Sequence, residues 1–254
     1  MERKSYVFGN WKMHKTAKEA KDFLSIFCPF VKEISPASLV GIAPAFTTLS
    51  ACCESIKEMD SSIWLGAQNV HQDSSGAFTG EVSLPMLQEF HVNFVLLGHS
   101  ECRHIFHEED ATIALKVGAA ARSGVVPVLC IGETLEAREN GTTKEVLSNQ
   151  LMLGLAQLPE TAPVIIAYEP VWAIGTGKVA STADVQEVHA FCREVLSRIF
   201  SKEKSEIISI LYGGSVKADN AEGFARCPDV DGLLVGGASL DPQGFANVLR
   251  NFNL

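Results

Sequence analysis

The segment Pro163-Val164-Ile165-Ile166-Ala167-Tyr168-Glu169-Pro170 carries a carboxylate directly after a short apolar run. Consecutive apolar residues predict a strand that is buried on both faces, as the strands of parallel sheets are. Pro170 ends regular strand pairing, and residues 171–178 then combine apolar side chains with a Gly-Thr-Gly exit. This order indicates a buried base, Glu169, beside a hinged lid that can close over a ligand. An ordinary strand-loop-helix connection is the alternative interpretation.

Eight short apolar runs recur along the chain, and most of the intervals between them have a helical pattern. The runs are 6–8, 39–42, 63–65, 94–97, 125–131, 164–167, 207–211 and 232–235. In the clearest interval, Ser181 and Asp184 have the spacing of a capping box and begin a helix with one apolar face. Further helices are predicted over 16–32, 103–122 and 218–227. Eight strand-helix units in 254 residues predict an α/β protein, a single-domain (β/α)₈ barrel over residues 1–254, with a doubly wound open sheet as the alternative.

The composition indicates an acidic protein without a membrane segment. The net charge of −9 argues against binding nucleic acid through a basic surface. No apolar run approaches a membrane span, and residues 1–4 lead into a short strand rather than into a signal-peptide core. The seven cysteines are scattered, odd in number and without the paired spacing of a metal site. We therefore expect reduced, mostly buried thiols in a cytoplasmic protein that binds neither nucleic acid nor membrane.

Polar residues follow most of the predicted strands, at the edge where (β/α)₈ barrels carry their functional residues. They are Asn10-Trp11-Lys12 after the first strand, Gln68-Asn69 after the third, His99-Ser100-Glu101 after the fourth, Glu169 after the sixth, Gly213-Gly214-Ser215 after the seventh and Gly236-Gly237 after the eighth. Backbone N–H groups in glycine-rich turns can converge on a phosphate, and the connections after strands seven and eight are the usual position for such a site. The two Gly-Gly turns therefore predict phosphate binding; a purely conformational need for tight turns is the alternative.

Three other motifs point to different chemistry, and each is weaker. Residues 175–180 match the letters of a dinucleotide-binding motif, but Glu-Pro-Val-Trp separates them from the strand that should directly precede the motif. Gly177-Lys178 resembles the end of a P-loop, but Trp172 occupies the place of the earlier glycine. The group His99, His104, His107 and Glu108 could suggest a metal site, but the helical pattern puts His104 and His107 on an exposed face. The sequence therefore predicts neither a cofactor nor a metal ion.

Five motifs resemble those of the triosephosphate isomerase family, in the same order along the chain. They are Asn10-Trp11-Lys12-Met13, Gly98-His99-Ser100-Glu101, Tyr168 to Lys178, Tyr212-Gly213-Gly214-Ser215-Val216 and Leu234 to Leu240. The resemblance runs over the full length and includes residues 66–69 and 76–81. Two positions depart from the family pattern, since Cys102 replaces a usual arginine and His14 replaces a common asparagine. Both lie near the segments that form the family's subunit contact.

The resemblance implies a TIM barrel that interconverts dihydroxyacetone phosphate and D-glyceraldehyde 3-phosphate without a cofactor. The reaction belongs to glycolysis and gluconeogenesis and adjoins the pentose phosphate shunt. Moving a proton between two adjacent carbons through an enediolate requires one base that reaches both carbons and an electrophile that stabilises charge on their oxygens. By the resemblance, Glu169 is the base, and His99 is a neutral electrophile kept uncharged by the helix start that follows it, which is this family's standard feature.

The resemblance assigns the remaining roles around the substrate. Lys12 supplies fixed positive charge, Asn10 supplies a positioning amide, and Glu101 supports the site from behind. The implied substrate contacts are Asn10, Trp11, Lys12, Gly175, Ser215, Gly236 and Gly237. Closing the lid at 171–178 would keep water from the enediolate and prevent elimination of its phosphate.

The resemblance also implies a homodimer. The connection 72–83 is rich in Ser and Gly and has Phe78 and Thr79 at its centre. In the family this loop inserts into the neighbouring subunit, here near Met13 and His14, and supports the segment that holds the active-site lysine. A flexible surface loop is the alternative interpretation.

Two other functions compete with the isomerase. Another phosphosugar enzyme with a barrel fold would share the phosphate-binding turns, but it would lack the Asn-Trp-Lys and Glu-Pro-Val-Trp segments. A catalytically silent barrel could serve as a binding protein. The joint presence of Lys12, His99 and Glu169 favours the isomerase.

Overall fold

The computed structural model describes residues 3–173 and 180–253. Within these residues, eight parallel strands close into a barrel in which each strand pairs with the next and the last pairs with the first. The strands are β1 (Tyr6–Asn10), β2 (Leu39–Ala43), β3 (Trp64–Ala67), β4 (Phe94–Leu97), β5 (Val126–Ile131), β6 (Ile165–Tyr168), β7 (Ser209–Tyr212) and β8 (Gly232–Val235). Pairing of β8 with β1, in a register that sets Phe8 against Leu234, confirms the (β/α)₈ barrel and excludes the open sheet.

Helices occupy the intervals between the strands. Those in the described residues are α1 (Ala17–Ile34), α2 (Leu49–Glu58), α3 (Leu84–Glu89), α4 (Ser100–His104), α5 (Asp110–Ser123), α6 (Leu135–Glu139), α7 (Thr143–Gly154), α8 (Thr182–Ile199), α9 (Lys202–Ile207), α10 (Ala218–Ala225) and α11 (Pro242–Phe252). The predicted capping box starts α8, where the Ser181 hydroxyl accepts the Asp184 N–H and the Asp184 carboxylate accepts the Ser181 N–H.

The helix predicted over 103–122 is corrected to two helices, α4 and α5. Between them His107 has a φ of 56°, in the left-handed region that a continuous α-helix does not contain. The N–H of Glu108 donates to the carbonyl of Cys102 at 3.0 Å across this break. The break contains the apolar residues Ile105 and Phe106, which sequence periodicity cannot distinguish from a helix face but which are exposed in the structure.

Aromatic side chains fill the interior of the barrel. The rings of Phe8 and Phe94 stack with centroids 4.0 Å apart and planes 7° apart. A Cβ at Gly66 would lie 2.3 Å from the Phe94 ring, so glycine is required there by close packing. The barrel is therefore a packed core rather than a channel, and a ligand has room at its ends.

None of the seven cysteines, all of which are described, forms a disulfide, in agreement with the predicted thiols. Burial raises the pKa of Cys52 and of Cys192 to about 12, so both thiols stay protonated. Across residues 3–173 and 180–253, no helix has the length and apolar character needed to cross a membrane. Over the same residues, no three His, Cys, Asp or Glu side chains are grouped so that they could hold a metal ion.

Candidate active site

A cavity of about 500 Å³ opens at the carboxyl ends of the strands. Eight residues that the sequence identified line it together, namely Asn10, Trp11, Lys12, His99, Glu169, Ser215, Gly236 and Gly237. Glu101 lies beside it and contacts two of these residues. Phe78 and Thr79 do not line it, and Gly175 lies outside the described residues.

Glu169 directly follows β6 and is 2% exposed. Its carboxylate has two partners, since Oε1 lies 3.0 Å from Nε2 of His99 and Oε2 accepts the N–H of Ser100 at 3.1 Å. Gly213 permits this position, because a Cβ there would lie 2.9 Å from the Glu169 Cγ. Burial raises the pKa of Glu169. The combined effect of His99, the Ser100 N–H and Lys12 lowers that pKa by more than burial raises it, so the net pKa lies below the ordinary value. Burial alone predicts a raised pKa, and the hydrogen bonds reverse that direction in this state.

His99 begins α4 and orients its ring through Glu101. The Nδ1 atom accepts the backbone N–H of Glu101 at 3.2 Å, which leaves the ring proton on Nε2, facing the cavity. Burial lowers the pKa of His99, whereas the carboxylates of Glu169 and Glu101 raise it, and the net pKa is above the ordinary value. The two features act in opposite directions: the Nδ1 acceptor favours a neutral ring, and the Glu169 contact favours a charged one. The direct contact between Glu169 and His99 was not apparent from the sequence, because their strands are not neighbours in the barrel.

Lys12 is held by contacts at both ends of the residue. Its φ is 51°, a conformation that is strained for a side chain of this size, and its N–H donates to the Asn10 Oδ1 at 3.0 Å. The Lys12 carbonyl accepts from the Gln68 amide at 2.8 Å. At the other end, Nζ donates to Oε1 of Glu101 at 2.6 Å. Glu101 therefore contacts both Lys12 and His99 and fixes their relative position.

The two Gly-Gly turns contain glycine for different structural reasons. At Gly214, a Cβ would lie 2.2 Å from the Tyr212 hydroxyl, so packing excludes a side chain. At Gly237, a Cβ would meet no protein atom within 4 Å, and at Gly236 it would meet only the Lys12 Cε at 3.8 Å. Neither Gly236 nor Gly237 has a positive φ. The missing side chains instead leave open space in the cavity beside the backbone, as an anion-binding turn requires.

The start of the predicted lid is anchored by Glu133, a fully buried carboxylate that follows β5. Its Oε1 accepts from the Trp172 indole at 2.9 Å and from the Tyr168 hydroxyl at 3.2 Å. The guanidinium of Arg138 lies 4.5 Å from the Trp172 ring and also contacts Glu133 at 3.3 Å. The lid residues after position 173 lie outside the described residues. Sequence reasoning missed Glu133, although its place after β5 is the same signal that identified Glu169 after β6.

Comparison with known proteins agrees with this geometry. The chain matches the family model "Triosephosphate isomerase" over residues 5–252. It is 94% identical over 254 residues to the triosephosphate isomerase of Chlamydia felis and 81% identical over 253 residues to that of Chlamydia abortus, with 100% of each chain covered in both cases. It is 48% identical over 250 residues to the triosephosphate isomerase of Citrifermentans bemidjiense, with 98% of each chain covered. This chain therefore belongs to the triosephosphate isomerase family.

Proposed function

We propose that this chain interconverts dihydroxyacetone phosphate and D-glyceraldehyde 3-phosphate through an enediolate. The observation that carries the proposal is the meeting of Glu169, His99 and Lys12 in one cavity whose far wall is formed by Gly236 and Gly237. A carboxylate, an imidazole and an ammonium group face the reacting carbons, and an open glycine turn receives the phosphate. The reaction moves hydrogen within one molecule, so it requires no external electron acceptor and no cofactor.

The proposed chemistry divides between two side chains. Glu169 removes a proton from one carbon and returns it to the neighbouring carbon, which requires its carboxylate to leave Ser100. The Nε2–H of His99 donates to the substrate oxygens as negative charge develops on them. A neutral imidazole can give up this proton and recover it, whereas an imidazolium would hold the charge too tightly. Displacement of Glu169 by substrate removes the contact that raises the pKa of His99 and so favours the neutral ring.

The remaining residues bind and orient the substrate in this proposal. Lys12 supplies positive charge to the substrate, and the Asn10 side chain positions it. Ser215, Gly236 and Gly237 hold the phosphate through the backbone. Trp11 fixes this wall from behind, because its indole N–H donates to the Ser239 carbonyl at 3.1 Å. Gly175 of the lid adds an N–H to the phosphate when the lid closes.

We also propose that the protein is a homodimer. Several large apolar side chains are exposed at the end of the barrel that carries the cavity, among them Met13 at 93% and Phe106 at 74%. Phe78 is 42% exposed in the connection after β3, which reaches the same end. A second copy of the chain would bury these side chains, whereas a monomer would leave them in water.

We further propose that the protein is a cytoplasmic enzyme that works as one domain. Its reaction belongs to glycolysis and gluconeogenesis and adjoins the pentose phosphate shunt. Neither nucleic acid nor membrane is a partner in this proposal.

A coupled assay on the purified protein tests the proposal. Dihydroxyacetone phosphate formed from D-glyceraldehyde 3-phosphate is reduced by an added dehydrogenase, and consumption of its nicotinamide cofactor reports the isomerase. We expect turnover in the wild-type protein and its loss in Glu169→Gln. Glu89→Gln, which alters an exposed carboxylate at the end of α3, is the control. Absence of isomerisation in the wild-type protein would refute the function.

A further inference from the structure

Lys217 lies at the mouth of the cavity, two residues beyond Ser215. Lys217 is exposed and lines the cavity together with Ser215, Gly236 and Gly237. Lys217 precedes α10, and its backbone N–H donates to Oδ1 of Asn220 at 2.8 Å. The backbone at Lys217 is therefore fixed at the mouth of the cavity, beside the wall where the phosphate is expected.

The other two lysines near this mouth are already engaged. Nζ of Lys12 pairs with Glu101 at 2.6 Å. Nζ of Lys15 donates to the carbonyl of Leu240 at 2.7 Å and lies 4.7 Å from the centre of the Phe23 ring. Within residues 3–173 and 180–253, the ammonium group of Lys217 has no ion-pair partner. Of the two described lysines that line the cavity, Lys12 shares its charge with Glu101, whereas the charge of Lys217 is not offset by an ion pair.

The local charge balance shows why this cation matters. The charge of Lys12 is offset by Glu101, and Glu169 adds a carboxylate to the cavity. The protein as a whole has a net charge of −9. A substrate phosphate carries about two negative charges at neutral pH, so the protein's overall field repels it. Lys217 adds a positive charge at the phosphate end of the cavity.

We propose that Lys217 attracts and selects the substrate, because its ammonium group draws a phosphate dianion to the turns at Ser215 and Gly236. This inference rests on the proposed function and adds a residue to it. Lys217 acts on the phosphate rather than on the reacting carbons, so its charge contributes to capture and to preference for phosphorylated substrates. Its contribution decreases as salt screens the charge, since the Debye length falls from about 30 Å at 0.01 M to about 10 Å at 0.1 M.

The test is Lys217→Gln, measured by steady-state kinetics at ionic strengths from about 0.01 M to about 0.5 M. We expect kcat/KM at low ionic strength to fall about threefold to tenfold because KM rises, while kcat stays within about twofold of the wild type. Competitive inhibition by inorganic phosphate should weaken by a similar factor. Both differences should disappear at the highest salt concentration. Lys217→Arg keeps the charge and should restore the wild-type values.

A control removes another exposed lysine charge at the other end of the barrel, that of Lys202, whose Nζ lies 3.8 Å from Oε1 of Glu206. Lys202→Gln, at the start of α9 ahead of β7, changes the net charge by the same amount, so it separates a local effect from a general one. The proposal is overturned if Lys217→Gln keeps the wild-type kcat/KM at low ionic strength, if its loss is independent of salt, or if Lys202→Gln matches it. Phosphate binding followed by phosphorus NMR needs no turnover, so it tests Lys217 even if the isomerase proposal fails. Lys217→Met, which keeps the aliphatic stem, replaces the glutamine variant if that variant is unstable.

Discussion

Oε1 of Glu169 lies 3.0 Å from Nε2 of His99, and both side chains are almost fully buried. The proposed base and the proposed electrophile therefore contact each other before any substrate is present. The contact stabilises the carboxylate against protonation and the imidazolium form of His99 against deprotonation. Substrate must separate the two groups, after which the carboxylate becomes more basic and the imidazole becomes easier to hold neutral. The resting contact thus keeps Glu169 in the carboxylate form that the reaction uses, although it lowers the basicity of that carboxylate, and it disfavours the neutral imidazole that the reaction also uses.

Glu169→Gln should lower turnover by at least ~10²-fold, the lower range for a positioned acid or base. The amide keeps the size of the side chain and can still accept the Ser100 N–H, but it cannot take a proton from carbon. Substrate affinity should stay within about tenfold of the wild type. Steady-state kinetics with Glu89→Gln as control provides the measurement. A variant that keeps most of its turnover would show that another group is the base.

The pKa of His99 should fall in the same Glu169→Gln variant. Two carboxylates raise this pKa in the wild type, and the substitution removes the one nearest to Nε2. The Nδ1 atom would still accept the Glu101 N–H, which disfavours a second ring proton. Nitrogen NMR of the ring across pH, in the wild type and the variant, gives the direction. An unchanged or higher pKa in the variant would mean that Glu169 does not hold the imidazolium form.

Glu101→Gln should reduce kcat/KM by about tenfold while leaving the fold intact. Glu101 holds the Lys12 ammonium at 2.6 Å and presents its backbone N–H to His99. The amide retains the backbone contact but loses the charge that orients Lys12. Glu109→Gln removes an exposed carboxylate at the start of α5 and is the matched control. Equal kinetics in the two variants would show that the tether on Lys12 has no effect on catalysis.

His189 should make the protein less stable in mild acid. Burial lowers its pKa to about 4, and its Nδ1 lies 3.1 Å from the Asp229 carbonyl. An unfolded histidine has a pKa of about 6.5, so between pH 6.5 and 4 the unfolded chain binds a proton that the folded chain does not. The free energy of unfolding therefore falls as pH falls through this window, by about 2 kcal/mol between pH 7 and pH 5. The free energy of unfolding, measured with urea at pH 7 and at pH 5, should change less in His189→Asn than in the wild type. An equal change in the two proteins would show that His189 does not cause the loss of stability.

The order of the strands and the residues at their carboxyl ends could be predicted because both are local properties of the sequence. Eight apolar runs place eight strands, and the residue after each run must lie at one edge of the barrel. The side-chain contacts across that edge could not be predicted in this way. The pairing of Glu169 with His99 joins strands β6 and β4, and the tether between Lys12 and Glu101 joins β1 and β4. Such contacts depend on rotamers that the closed barrel selects, and no pattern along the chain encodes them.

Glycines illustrate the same limit. From the sequence alone, Gly213-Gly214 and Gly236-Gly237 are equal candidates for phosphate-binding turns. The structure separates them, because packing against Glu169 and Tyr212 accounts for the first pair and open cavity space accounts for the second. The break between α4 and α5 could not be predicted from the sequence either. His107 has a positive φ there, and a histidine, unlike a glycine, does not signal such a conformation.

The connection 72–83 should be required for assembly and, through it, for activity. Phe78 is partly exposed, and its ring is stabilised within its own chain by His71, with centroids 4.0 Å apart. In the proposed homodimer this tip contacts the partner near Met13, next to the segment that holds Lys12. Replacing 72–83 with a short Gly-Ser turn should yield monomers with severely reduced turnover, because exposed Met13 loses its cover and the strained Lys12 backbone loses support.

Light scattering and the isomerase assay on the same samples test this expectation. Met152→Ser, which alters an exposed apolar side chain on α7, is the control and should remain dimeric with full activity. Phe78→Ser should weaken the dimer without removing the loop, so its activity should rise with protein concentration as subunits associate. A loop-replaced protein that scatters as a dimer with unimpaired turnover would place the subunit contact elsewhere. A fully active monomer would show instead that Lys12 keeps its conformation without a partner.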